Sequence, residues 1–482
     1  MRSTPFKSST FALFALLILL VSSCDSNDPE APGITSADLL LEAARGTSVD
    51  AVFTLRAEEG IKSLSLSIDG GEAQVLQVTS GASEQEFTYT FTVPASATLG
   101  TQFMLMFTLT DQEDATSEVS VLVTTTRLIE TPDTYEFFRN GESSVFFGGQ
   151  TDRLDQVEEI KAYVKLADAG GVITEQVLLD MFQNTGGNGA GNFTFTSSRQ
   201  LKNKTFAPDV DVRLFEDLFE NAAAASIAGN AGTVAANGTA GLITRENSGN
   251  TVLVDGNGRE FTQFIEKGLM GAVFYHQMYN VYLSDARTGD DVENVELDGD
   301  NNYTRKEHGM DEAFGYWDPP LDFTSPWPAE RGNEDRFWSH YSSVVDGQLG
   351  TNDIIMTAFR EGRAAIVNND PAGTNAERDV LYENLELVAA ATTVHYINDT
   401  IEFLSEGKIG EAFHVLSEAW AFTNALRYSP RRSITPEQIT EILDTDFGTG
   451  GNFWNVTPAG LNKAKATLVG LYPRLAPVQD DL

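Results

Sequence analysis

The spacing of apolar residues changes once along this chain, and that change commits it to two differently built parts. From about Ile34 to Thr126 apolar residues occupy every second position. Leu64, Leu66 and Ile68 alternate with polar residues before Asp69-Gly70-Gly71, and Phe87, Tyr89, Phe91 and Val93 run up to Pro94. Phe103 to Leu109 and Val119 to Val123 repeat the pattern. A strand turns successive side chains to opposite faces, so each segment offers one apolar face. Short strands of this kind predict an antiparallel β-sandwich of immunoglobulin-like type over residues 34–126.

Beyond a linker around Arg127 to Thr134 the period lengthens. Leu154, Val157, Ile160 and Val164 fall three or four apart, the spacing of one helix face. Phe261 to Leu283 is apolar nearly all round, which predicts a central buried helix. Helices are also expected over Arg336–Val345, Asp353–Val367, Ala376–Leu404 and Glu411–Leu426. Thr435-Pro436 and Thr457-Pro458 each set a capping hydroxyl before a first-turn proline, and Gln438 completes a capping box with Thr435. Residues 134–482 therefore read as an all-α helical bundle. The Gly/Asn/Ala-rich stretches Asn184–Asn192 and Asn221–Gly258 are expected to be irregular.

The single cysteine, Cys24, excludes disulfides within one chain, so stability must come from core burial or bound metal. It follows a basic start at Arg2 and Lys7 and an apolar run from Phe11 to Val21, too short to span a bilayer. Val21-Ser22-Ser23-Cys24 resembles a bacterial lipobox, in which the thiol accepts a diacylglycerol. The expectation is a signal peptide at 1–23, lipidation at Cys24 and an acidic tether over 24–33. The lipid bilayer is then a partner, reached through an N-terminal anchor. The location expected is the outer membrane, at the cell surface or the periplasmic face. With 70 acidic against 32 basic residues the formal charge is -38, which repels nucleic acid and anionic surfaces.

All five histidines lie after residue 270, at His276, His308, His340, His395 and His414. Three have a carboxylate four residues on: His308 with Glu312, His395 with Asp399, His414 with Glu418. On a helix that spacing brings side chains to one face, roughly 5–6 Å apart at Cβ. Imidazole with carboxylate suits a transition metal such as Fe or Zn, and bundle interiors commonly build such sites. His308 is the leading candidate because Glu307, Asp311 and Glu312 surround it, with His276, His395, His414 and Glu418 next. The acidic loops at Asp111-Glu113-Asp114 and Asp298-Gly299-Asp300 offer oxygen ligands for Ca²⁺, or simply solvated turns. No His-Glu-x-x-His and no Gly-x-Ser-x-Gly occurs.

Glu307-His308 through Asp311-Glu312-Ala313-Phe314-Gly315-Tyr316 resembles the signature of a family of Gram-negative lipoproteins, domain of unknown function 4856. Tyr135-Glu136-Phe137-Phe138-Arg139, Thr151-Asp152-Arg153-Leu154 and Lys267-Gly268-Leu269-Met270-Gly271-Ala272 extend the resemblance in the same order. That family is similar in turn to imelysin-like proteins, all-helical lipoproteins tied to iron or haem uptake, some classed as metallopeptidases. Their motif has glycine two residues before the histidine and glutamate three after it; here Lys306 and Asp311 stand there. The resemblance implies a membrane-anchored lipoprotein that binds a metal or an iron or haem complex, beside an outer-membrane iron or haem receptor. A metallopeptidase with Glu307 or Glu312 as general base, and an adhesive surface protein without a metal site, are the alternatives.

Overall fold

The computed structural model describes residues 30–482. The expected signal segment and Cys24 lie outside the described residues. The chain divides into two compact units. The first carries the strands up to residue 124; the segments 43–47 and 93–101 group with the second, which runs from 125 to 482.

The first unit pairs two antiparallel sheets. β1 (Gly33–Thr35), β3 (Ser48–Arg56) and β6 (Glu84–Thr92) form one sheet in the order β1-β3-β6. The other holds β2 (Leu40–Ala44), β8 (Thr116–Thr126), β7 (Gln102–Asp111), β4 (Ile61–Ile68) and β5 (Gln74–Leu76) in that order. Several sheet neighbours, such as β3 with β6 and β4 with β7, are distant in sequence, which is the crossed connectivity of an immunoglobulin-like sandwich. The period-two pattern decides what each strand buries: Phe53, Leu55, Leu64, Leu66, Leu105, Phe107, Val121 and Val123 are all essentially inaccessible. Phe53 and Phe107 meet across the two sheets with ring centres 4.5 Å apart. Asp69 and Gly70 both adopt positive φ, as the turn after β4 requires. In the acidic loop, Asp111 Oδ1 accepts from the Glu113 and Ala115 amides (3.0 and 2.9 Å), and Asp114 pairs with Lys62.

The second unit is mainly helical. Its helices are α1 (Gly148–Asp168), α2 (Glu175–Phe182), α3 (Arg213–Asn230), α4 (Phe261–Leu269), the short α5 (Asp285–Thr288), α6 (Arg305–Trp317), α7 (Phe337–Leu349), α8 (Thr351–Val367), α9 (Pro371–Ser405), α10 (Ile409–Ala425), α11 (Pro436–Glu441) and α12 (Pro458–Leu471). α4 does not stop at Leu269. It widens into π-helical turns over Met270–Tyr275 and Gln277–Tyr282, so the apolar run to Leu283 is one buried rod. Gly271 lets this rod approach α10: a Cβ there would come within 3.1 Å of Ala425 Cβ. Thr435 and Thr457 cap α11 and α12 as expected, and the Thr435/Gln438 capping box forms.

Two expectations are corrected. Asn221–Gly258 is not irregular throughout. Its first part continues α3, because alanine is the best helix former and Phe215, Phe219 and Ala222 make one buried stripe. Its second part contains a hairpin, β11 (Gly241–Thr244) with β12 (Thr251–Val254), whose Leu253 and Val254 are fully buried. The second unit is therefore not purely α: this hairpin and the short ribbon β9 (Phe138–Arg139)/β10 (Glu142–Ser143) are built into it. Among the described residues, no helix is long and apolar enough to cross a membrane.

Candidate functional site

α6 carries the segment singled out in the sequence, and its start explains part of it. Thr304 caps the helix by accepting from the Glu307 amide (3.2 Å), while Glu307 Oε2 accepts from the Thr304 amide (2.7 Å). Glu307 is thus a capping-box residue before it is anything else.

The same carboxylate is gripped by two guanidinium groups. Arg139 donates to both of its oxygens (2.8 and 3.0 Å), and Arg363 Nη1 lies 3.1 Å from Oε1. Burial, which alone would raise the Glu307 carboxyl, is outweighed by Arg363 and Arg139, so it titrates below the usual range. One turn on, Asp311 Oδ1 accepts from Arg363 Nε and from the Tyr135 hydroxyl, each at 2.9 Å. Asp311 and Arg363 are both completely inaccessible. Burial pushes the Asp311 carboxyl up, and Arg363 pulls it back. Tyr135 also stacks on Phe314 at 3.7 Å. The sequence segments around Tyr135, Arg139, Glu307 and Asp311 therefore meet in one buried network that fastens the chain before α1 onto α6. Glu307 and Asp311, expected as metal ligands, have their oxygens occupied by guanidinium and phenol donors.

His308 and Glu312 face the other way. Their spacing brings them together as expected, with Nε2 3.7 Å from Glu312 Oε1. That exceeds hydrogen-bond length, so the pair is juxtaposed rather than bonded. The imidazole stacks on Tyr303 with ring centres 4.4 Å apart, and its Nδ1 is buried without a partner. Glu312 Oε1 accepts from Gln150 Nε2 at 3.0 Å. The Tyr282 phenol adjoins the same carboxylate; burial, then the charges of Tyr316 and Glu312, hold its proton tightly. Tyr316, fully buried, has its hydroxyl without a formed hydrogen bond, and burial pushes its pKa up to about 12 although Arg153 opposes this.

A group of cations that the sequence did not single out as a site surrounds this pair. Lys204 feels Arg153, Glu312, Arg287 and Arg199 as its nearest charges, and burial together with the three arginines lowers its pKa. Lys204 and Arg287 lie 5.9 and 5.8 Å from the Tyr282 ring centre. Arg153 is buried, donating to Gly149 O (2.8 Å) and Gln200 O (3.0 Å). A signal was present: Arg153 precedes Val157 by one turn, so it sits on the apolar face of α1, where an unpaired cation needs a reason.

The remaining histidines are placed separately. His276 Nδ1 lies 3.1 Å from Asn280 Nδ2, and burial with the charge of Lys204 pushes its pKa down to about 4. It adjoins the basic group without reaching His308 in any ion-holding arrangement. His395 Nε2 is 3.6 Å from Asp399. His414 is held between two carboxylates, 2.7 Å from Glu260 and 3.5 Å from Glu418, and Glu418 also accepts from Tyr341 (3.0 Å). Burial disfavours the charged His414 ring, yet Glu260 and Glu418 raise its pKa overall. His340 adjoins Asp335 at 3.6 Å. Among the described residues, no group of three or more His, Cys, Asp and Glu side chains converges as an ion cage would require. Trp317 and Trp338 are core residues with almost no exposure.

No curated protein and no solved structure matches the chain. A family model described as Domain of unknown function (DUF4856) matches residues 132–470, well over half of it. The matched stretch spans the Arg363 network, the His308–Glu312 pair and the surrounding cations, and the chain belongs to the DUF4856 family.

Proposed function

We propose that the protein is a lipid-anchored, non-catalytic receptor for a transition-metal complex, iron or haem iron first among them, seated at the His308–Glu312 pair. The observation that carries this reading is the division of labour on α6. Glu307 and Asp311 are saturated by arginine, whereas His308 keeps a buried ring nitrogen without a partner. One imidazole and one carboxylate are too few donors for a bare ion, since a structural zinc takes four protein ligands. They suit a metal that arrives with ligands of its own, with Tyr282, Tyr303 and Gln150 around it. A bound metal would add a Lewis-acidic centre for the imidazole. His308 and Glu312 orient the complex, and Tyr303 holds the ring flat.

The lipid anchor at Cys24 and a place in the outer membrane, facing an iron or haem receptor, belong to the same proposal. The test is titration of the full chain with ferric citrate, hemin and zinc chloride in turn, followed by absorbance and calorimetry. A ferric or haem complex is expected to bind one to one, and His308→Ala to abolish it. Binding of neither iron complex, binding of zinc alone, or equal binding by His308→Ala would overturn the reading.

A further inference from the structure

We propose that the cations around His308 and Glu312 form an anion site, and that its ligand is a small hydroxy-polycarboxylate. This deepens the reading above and takes the location of the site from it. Arg153 donates to Gly149 O, Arg199 lies against Gly149, and Lys204 and Arg287 both approach the Tyr282 ring, so four cationic side chains gather with one carboxylate, Glu312. In a chain of formal charge -38, basic residues are scarce and most surface ones have acidic partners, as Arg305 has Asp298 and Arg331 has Asp322 and Glu334. Among the described residues, Arg199, Lys204 and Arg287 make no side-chain hydrogen bond or ion pair. Cations this close repel one another, which costs stability unless something negative sits among them.

The local backbone adds to the positive field. α1 begins beside this group with no side-chain cap and no acidic residue in its own first turn. Gly149, in that first turn, has no Cβ; one built there would stand 2.9 Å from Arg199 Nε. The glycine therefore lets the Arg199 guanidinium lie against the helix start. A separate observation also points to a ligand: Nδ1 of His308, the ring beside Glu312, is buried without a hydrogen-bond partner. Arg153 and Tyr316 are buried, while Arg199 and Arg287 are exposed and form the rim of the proposed site.

The chemistry of these groups narrows the ligand. The guanidinium forks of Arg199 and Arg287 match planar carboxylates in the bidentate manner, and the ammonium of Lys204 adds a point charge. Glu312 accepts hydrogen bonds and would repel a ligand that had only carboxylates to offer it. A hydroxyl beside the carboxylates removes that conflict by donating to Glu312, and the unpartnered His308 Nδ1 provides another polar contact. Hydroxy-polycarboxylates are also chelators of ferric iron, which joins this site to the receptor reading.

The experiment is calorimetric titration of metal-free citrate into the full chain and into the Arg199→Gln/Lys204→Gln/Arg287→Gln variant. None of these three side chains is paired and their charges repel one another, so the variant is expected to keep or raise its melting temperature. Citrate should bind one to one, and the variant should lose roughly tenfold or more in affinity. Tricarballylate, which has the three carboxylates without the hydroxyl, should bind more weakly than citrate. No citrate binding, or an unchanged affinity in the variant, would overturn the anion site. Inorganic phosphate binding as tightly as citrate would overturn the carboxylate assignment. Ferric citrate binding no better than citrate would remove the metal reading and leave the anion site standing.

Discussion

The two faces of α6 show what the same residue types become in different surroundings. On one face, Glu307 and Asp311 lie out of reach of water, and Arg363 joins them. On the other, Glu312 and His308 retain 15% and 20% side-chain exposure, and Glu312 lies near Lys204, which is not bonded to it. Neighbouring polar side chains on a single helix thus stand in different surroundings, and the proposed ligand site uses only the second pair. What separates them is whether the nearby guanidinium groups already hold a carboxylate: Arg363 pairs with Glu307 and Asp311, whereas Arg199 and Arg287 pair with none.

The sharpest way to break this contrast is to remove Arg363. Arg363→Ala leaves buried Asp311 without a cation and Glu307 with Arg139 alone, and a loss of about 3–5 kcal/mol is expected from urea unfolding. A loss below about 1 kcal/mol would mean the network is not what fastens the chain before α1 to α6. His308→Ala, on the same helix but on its other face, should behave in the opposite way: binding of ferric citrate is lost, while stability changes by under about 1 kcal/mol.

A third measurement uses pH. The His276 ring, in contact with Asn280 and Phe206 and near Lys204, has its folded pKa pushed from 6.5 down to about 4. The fold prefers the neutral ring, so the unfolded chain takes up the proton first as pH falls. The stability this group contributes is full above about 6.5 and is lost as pH falls through about 4. His276→Gln should flatten that part of the urea-midpoint curve; identical curves would show that burial and Lys204 do not lower the ring's pKa in the fold.

The smallest expected effect is the most discriminating for the rim. Gly149→Ala ordinarily adds up to about 1 kcal/mol of helix stability, but its Cβ would displace the Arg199 guanidinium. An unchanged or higher melting temperature with a roughly twofold to fivefold weaker citrate affinity is expected. Weaker folding with unchanged affinity would place Arg199 in the fold rather than in the site.

Much of the architecture was legible because it rests on local periodicity. Leu64/Leu66 and Leu105/Phe107 bury alternate positions in the sandwich, and Leu154/Val157/Ile160/Val164 line one face of α1. The i,i+4 pairs His308/Glu312, His395/Asp399 and His414/Glu418 meet at 3.7, 3.6 and 3.5 Å, because helix geometry alone brings them together. The α3 portion within Asn221–Gly258 was missed because alanine carries no apolar contrast, and the β11/β12 hairpin because its strands are too short for a period to show.

The candidate site was half legible, for a reason that is physical rather than statistical. Spacing along one helix identifies which side chains share a face, and so it found His308 with Glu312. It is silent on what stands opposite. Arg363 reaches α6 from α8, Arg139 from a ribbon, and Lys204 and Arg199 from the loop before α3. Sequence by itself determined the two-part fold, the helix caps and the pairing of His308 with Glu312, since each depends on neighbours within a few residues. Tertiary structure alone decided that Glu307 and Asp311 serve the fold while Glu312 lies near the unpaired Lys204, because a carboxylate's role is set by charges brought to it from distant parts of the chain.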